Sequence, residues 1–245
     1  MIFFNAQKLL RGEPPSGEIP SDKNILKRTL TIAWPSIVES FLVALVGFID
    51  TIMVSSLGDA AIAAVGLTTQ PKFIGLAFFI SLNVAISAII AHRKGEGDRE
   101  SANRVLMQAL IITVGMTVIV SVTCVVFADP IIPLAGANAD TQQEAADYFR
   151  IIMGGMIFNV VSLCINAAQR GCGNTKIAMR TNIVSNLVNV VFNYLLIGGN
   201  FGFPALGVKG AAVASVIGTV VAMGMSIFSV MHPDGYPVSY THLRA

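Results

Sequence analysis

An all-α integral membrane protein with six transmembrane helices is the fold class this sequence predicts, and three observations predict it. Of 245 residues, 54% are hydrophobic and only 12% are Asp, Glu, Lys or Arg, about half the charged share of a soluble domain. The apolar residues gather into six runs, at about 30–55, 60–91, 105–128, 147–168, 179–199 and 207–231. Each is long enough for the roughly 20 residues that cross a bilayer as a helix. Lys and Arg fall on alternate connections: the segment before the first run holds Lys8, Arg11, Lys23, Lys27 and Arg28, the second connection Arg93, Lys94, Arg99 and Arg104, and the fourth Arg170, Lys176 and Arg180. The runs are too long and too evenly apolar for barrel strands, which alternate over about 10 residues. A mean hydropathy of +0.71 and a net charge of +2 exclude a disordered chain, a coiled coil and a nucleic-acid partner, and they count against an ordinary soluble enzyme.

Residues 1–24 are polar and Pro-rich after Met1–Phe4, without the basic start and short apolar core of a secretory signal. They are expected as a cytoplasmic N-terminal segment, with residues 25–231 forming the six-helix lobe. Because positive charge stays cytoplasmic, both ends of the six-helix unit are placed in the cytoplasm and the protein in the plasma (inner) membrane as a multi-pass protein. The first helix carries two acids, Glu39 and Asp50. The second contains Pro71-Lys72, which divides it into Ala60–Gln70 and Phe73–Ala91, since proline removes a helix hydrogen bond. The turn-rich stretch Asp129–Gln143 leads to the fourth, which starts near Arg150, and Gln169–Lys176 leads to the fifth. Gly198–Gly207 precedes the sixth, whose opening Gly210–Gly218 echoes Gly58–Gly66 in the second. Small residues at that spacing let helix backbones approach closely. Residues 232–245 turn abruptly polar and are read as a tail, with Pro237–Ala245 resembling a non-native junction.

Acids inside a membrane are costly and mark functional sites by default. Glu39 and Asp50 are 11 residues apart, so they lie within about 20° of one another and about 16 Å apart along the helix. Lys72 is costly against lipid for the same reason; it either faces a solute pathway, or snorkels or is solvated beside the kink. On the fifth helix Asn182, Asn186, Asn189 and Asn193 share a stripe about 60° wide. Amides cannot be left unpaired in lipid, so the stripe glues helices together or lines an aqueous cavity. Counting rises from the outer turns places Asp50, Asn189, Asn193 and Ser215 at similar depth. One carboxylate with oxygen-bearing neighbours suits a hard cation such as Na⁺, and equally a proton. The three cysteines form no paired framework and are read as small apolar residues.

At these residues the chain resembles the multidrug and toxic compound extrusion (MATE) family. The matching pieces run in order: Trp34-Pro35, Asp50–Val54, Leu57-Gly58 with Ala63–Gly66, Arg170–Lys176, Asn189–Tyr194 and Gly202–Ala212. They cover roughly residues 25–231. The resemblance implies a secondary antiporter that exports cationic, often aromatic drugs or toxic metabolites against a Na⁺ or H⁺ gradient. It further implies one lobe of a two-lobe, twelve-helix transporter fold. Under it Asp50, Asn189, Asn193 and Ser215 are the ion-coupling residues, with Na⁺ held by Asp50, Asn189 and Asn193. Glu39, Lys72, Asn182 and Asn186 are weaker candidates for the substrate cavity. The expected partners are the bilayer, small organic cations and a carboxy-terminal lobe, so the chain reads as a fragment. No cofactor is expected beyond the coupling ion, and no catalysis, since the sequence shows no His-Asp-Ser array, zinc motif or phosphate loop. The alternatives are a lipid-linked-sugar flippase, which would carry more basic residues in the cavity, and a non-transporting membrane scaffold.

Overall fold

A computed structural model of the chain describes residues 21–231, all in helices and short connections, with no strand among the described residues. Eight helices follow in order: α1 Asp22–Ser55, α2 Asp59–Gly95, α3 Arg99–Val126, α4 Ala128–Leu134, α5 Ala139–Gly154, α6 Met156–Gly171, α7 Thr175–Gly198 and α8 Val208–Met231, with a 3₁₀ turn at Asn200–Gly202 before α8. Five of them are long and apolar enough to cross a membrane by themselves; α5 and α6, bent by 45° across a one-residue break, make the sixth span if counted as one. Large apolar side chains stand exposed on the outer faces, among them Trp34, Phe41, Ile74, Val84, Ile111 and Phe228. In water such faces would be a liability, but in hydrocarbon they cost nothing, and the helices keep every interior backbone hydrogen bond within themselves.

Three expectations are corrected. Pro71 does not divide the second span: α2 runs unbroken for 37 residues. Proline forfeits its own donor bond and crowds the carbonyl four residues back, yet the apolar residues on both sides continue the helix. The break falls instead in the fourth span, at Gly155, where a Cβ would stand 2.5 Å from Val216 Cγ2 on α8. The third connection is not merely turn, because it holds α4 and the polar first turns of α5.

The echo between Gly58–Gly66 and Gly210–Gly218 covers two different uses. A Cβ on Gly210 would meet the Leu196 carbonyl oxygen at 2.5 Å, and one on Gly218 the Ser185 oxygen at 2.9 Å. Here glycine lets α7 and α8 pack backbone to backbone. Gly58 and Gly66 have no such neighbour within 4 Å; Gly66 faces a cavity.

Polar residues tie the bundle at its ends and middle. At the end opposite the basic connections, Arg150 reaches Asp129 (2.5 Å) and Asp147 (3.3 Å), and Lys209 reaches Asp147 (2.9 Å). Arg150 and Lys209, basic residues at this end, are thus both paired. At the basic end, Lys94 donates to the Cys172 carbonyl. Asp98 caps α3 by accepting from the Ser101 N–H (2.9 Å), and hydrogen bonds with Ser101 hold its carboxyl below the usual carboxylate range. Between α6 and α8, Ser162, Asn166 and Ser226 form a fully buried cluster, and Gln169 donates to Ser229 (3.2 Å).

Candidate functional site

The site forms where α1, α7 and α8 meet. The glycines of α8 bring it against α7, and that contact sets Ser215 opposite Asn189. Asn193, one turn along α7, is 1% exposed and donates to Asp50 Oδ1 at 2.6 Å. The Asn189 amide, with its nitrogen toward α1, donates to Asp50 Oδ1 (3.0 Å) and Oδ2 (3.1 Å). Its oxygen then accepts from Ser215 Oγ (3.1 Å) and the Ser215 N–H (3.2 Å). Turned end for end it would set its oxygen against a carboxylate, so the surrounding donors and acceptors fix this orientation. Asp50 therefore takes amide donors from two residues, while Asn193 Oδ1, buried beside it, has no hydrogen-bond partner. An acceptor oxygen left without a donor next to a carboxylate is a place where a cation or a proton fits.

Two cavities open beside this cluster. One, of about 400 Å³, is walled by α1, α2, α5, α7 and α8 and exposes Asp50, Thr51, Lys72, Tyr148, Asn193 and Ser215. The other, of about 210 Å³, shares Lys72, Tyr148 and Ser215 and adds Asn159, Val216 and Thr219. Lys72 lies in both walls, on the turn after Pro71, and its charge attracts that of Asp50. Tyr148 and Asn159 were not singled out from the sequence; they sit on either side of the break in the fourth span, where periodicity gave no warning.

The weaker cavity candidates divide. Lys72 lines both cavities. Glu39 and Asn182 line neither; Asn182 donates to Glu39 Oε1, and Arg170 Nη1 lies 4.0 Å from the same oxygen. This second cluster sits toward the basic end. Asn186 lies half-buried between the two levels and joins neither. Glu39 and Asn182 thus tie α1 to α7 toward the basic end of α1, beside the guanidinium that ends the fourth span.

A sequence model of the MatE family matches residues 35–195. A relative named a probable multidrug resistance protein NorM, from Thermotoga maritima, is 25% identical over 93% of this chain and 48% of its own length. Among solved structures, a MOP superfamily transporter from Pyrococcus furiosus, described as having a binding pocket of reverse polarity, superposes with a TM-score of 0.80 at 28% identity over 86% of this chain and 46% of its own. An outward-facing multidrug resistance MATE family transporter does so with a TM-score of 0.80 at 28% identity, over 88% and 47%. The chain thus spans about half the length of the relatives it matches.

Proposed function

The chain belongs to the MatE family of membrane transporters, and from that premise we propose that it forms the amino-terminal lobe of a cation-coupled antiporter exporting drugs or toxic metabolites, cationic or aromatic among them. The observation that carries the coupling is the Asp50 cluster: one carboxylate, two amides and a hydroxyl from three helices, beside a cavity, with the Asn193 oxygen unpartnered. Without a cation, Asn189 and Asn193 satisfy the carboxylate as donors. A Na⁺ bound there would be held by Asp50, Asn189 and Asn193, with both amides turned to offer oxygen, and the Asn189 nitrogen would then be left to Ser215 Oγ, at 3.1 Å in that orientation. A proton on Asp50 removes the same charge. Either way, occupancy changes what holds α1 to α7. Secondary transporters convert such a change into rocking of one repeat against another around a central site, so a second lobe is needed to close the cavity.

The test reconstitutes this lobe with a matching second lobe in liposomes and measures gradient-driven dye efflux. Asp50→Asn is expected to insert normally and to lose ion dependence, with efflux reduced at least about tenfold, the factor for 1.4 kcal/mol. Wild-type ion dependence in that variant would reduce Asp50 to a structural hydrogen-bond acceptor. We place the basic end in the cytoplasm by its Lys and Arg. Cysteines at Glu96 and Asn174 should then label from the cytoplasm and one at Asn138 from outside; labelling of both sets from one side would overturn this orientation.

A further inference from the structure

A third cavity lies away from the Asp50 cluster, toward the basic end, and ion coupling makes no use of it. It holds about 520 Å³ between α2 and α6, with Asn83, Ser87 and Arg170 as its polar lining and Ile80, Val84 and Leu163 among its apolar lining. A Cβ on Gly171 would stand 2.5 Å from the Ser87 carbonyl oxygen. Glycine therefore lets the end of α6 close on α2 and sets Arg170 at the level of Ser87. That level is about 12 Å inward from Gly95, the last residue of α2, at 1.5 Å per residue. Asn83 and Ile80 follow on α2 about 6 and 10 Å deeper. The Arg170 guanidinium makes no hydrogen bond among the described residues. The carboxylate it meets, Glu39 Oε1, is 4.0 Å away, beyond hydrogen-bond length, and already takes the Asn182 amide. The side chains of Asn83, which is buried, and Ser87 also have no hydrogen-bond partner among the described residues.

A guanidinium, an amide and a hydroxyl around one cavity are donors in want of an acceptor, and a half-buried charge without hydrogen bonds is costly. Arg93, Lys94, Lys176 and Arg180 stand at the same end of the chain's spans, so the field there favours an anion. A planar guanidinium matches a phosphate with two parallel hydrogen bonds. Beside and below these donors Val84 and Ile80 present exposed apolar side chains. Polar at the basic end and apolar toward the membrane middle is the order of a phospholipid in the leaflet on that side, and basic pockets between spanning helices bind such headgroups. We infer that this cavity is a site for one anionic phospholipid. Arg170 pairs with its phosphodiester, Ser87 donates to the same group, Asn83 donates to a glycerol ester carbonyl, and an acyl chain lies along Val84 and Ile80. A free phosphate would leave that apolar wall bare, and a choline headgroup would bring a cation to the positive end. Through Arg170 the lipid joins α2 and α6 to the tie between α1 and α7. The inference is independent of Asp50 and of which ion is coupled.

Native mass spectrometry tests this by counting the lipids that the 245-residue chain keeps on release from uncharged detergent micelles. The chain is titrated with dioleoylphosphatidylglycerol or dioleoylphosphatidylcholine. The wild type should hold one phosphatidylglycerol about tenfold more tightly than phosphatidylcholine, the scale of one charge-assisted hydrogen bond. Arg170→Gln should erase that preference and Arg170→Lys should retain part of it. Glu39→Gln, which leaves the guanidinium wholly to the lipid, should raise it. Ala88→Phe fills the cavity from an exposed position and leaves every charge in place; it should lose the lipid while keeping wild-type helix content by circular dichroism. Glycerol 3-phosphate in excess should not displace phosphatidylglycerol; displacement would assign the site to a free phosphate and overturn the lipid. Equal affinity for the two lipids, an unchanged preference in Arg170→Gln, or a lipid retained by folded Ala88→Phe would also overturn the inference. So would loss of the preference when a matching second lobe is bound, which would make the cavity a contact between lobes.

Discussion

The same device joins α1 to α7 at two levels, and only one of them has the makings of an ion site. Asn193 donates to Asp50, and three turns toward the basic end Asn182 donates to Glu39; in each pair the partners are 143 residues apart. The helices, spacing and groups are alike, and the neighbours differ. Beside Asp50 stand a second amide, a hydroxyl, an unpartnered buried oxygen and a cavity. Beside Glu39 stands Arg170, 4.0 Å away, with the two side chains 17% and 32% exposed. A guanidinium supplies the positive charge permanently at the lower pair, which serves as a tie. Among the described residues the upper pair has no fixed cation within 4 Å, and under the proposed function it exchanges one. On that proposal a carboxylate–amide pair in a membrane becomes functional through what is missing around it.

The comparison can be broken at the upper level by removing its charge or by leaving every charge in place. Asp50→Asn has the largest expected effect, the loss of ion-dependent efflux. Next comes Gly218→Val. A Cβ there would stand 2.9 Å from the Ser185 oxygen and 3.2 Å from Asn189 Cβ, so the larger side chain must push α7 from α8 and draw Asn189 off Ser215. Ion affinity, read by titration calorimetry on the purified lobe, should fall by about tenfold or more, given that misplaced supporting residues can cost about 100-fold. Gly66→Ala, which has open space, should leave it unchanged. At the lower level, Arg170→Gln should lower thermal stability in detergent by a few degrees, consistent with about 1 kcal/mol for a partly exposed pair, and leave ion affinity within about twofold. An ion affinity that followed Arg170 as closely as Gly218 would mean the two levels are one network.

Much of this was legible in the sequence, because a membrane simplifies the code. Apolar length alone located the spans, and the 11-residue and i, i+4, i+7 spacings put the acids of α1 and the amides of α7 on single faces. Depth counting brought Asp50, Asn189, Asn193 and Ser215 to one level, and the structure brings them into contact. What was not legible depended on partners. Periodicity cannot say which helix a face meets, so it showed neither the pairing of Asn182 with Glu39 nor the break at Gly155. The buried cluster of Ser162, Asn166 and Ser226 left a readable trace, since Ser162, Asn166 and Gln169 also follow i, i+4, i+7 on the fourth span.

The central claim is that the carboxylate of Asp50, and not that of Glu39, takes up the coupling ion. Ion-induced infrared difference spectroscopy tests it directly, on the reconstituted 245-residue chain with Na⁺ added or the pH lowered. A carboxylate band should change in the wild type, change equally in Glu39→Gln and be silent in Asp50→Asn. A band that persists in Asp50→Asn, or one that vanishes in Glu39→Gln, would contradict the account.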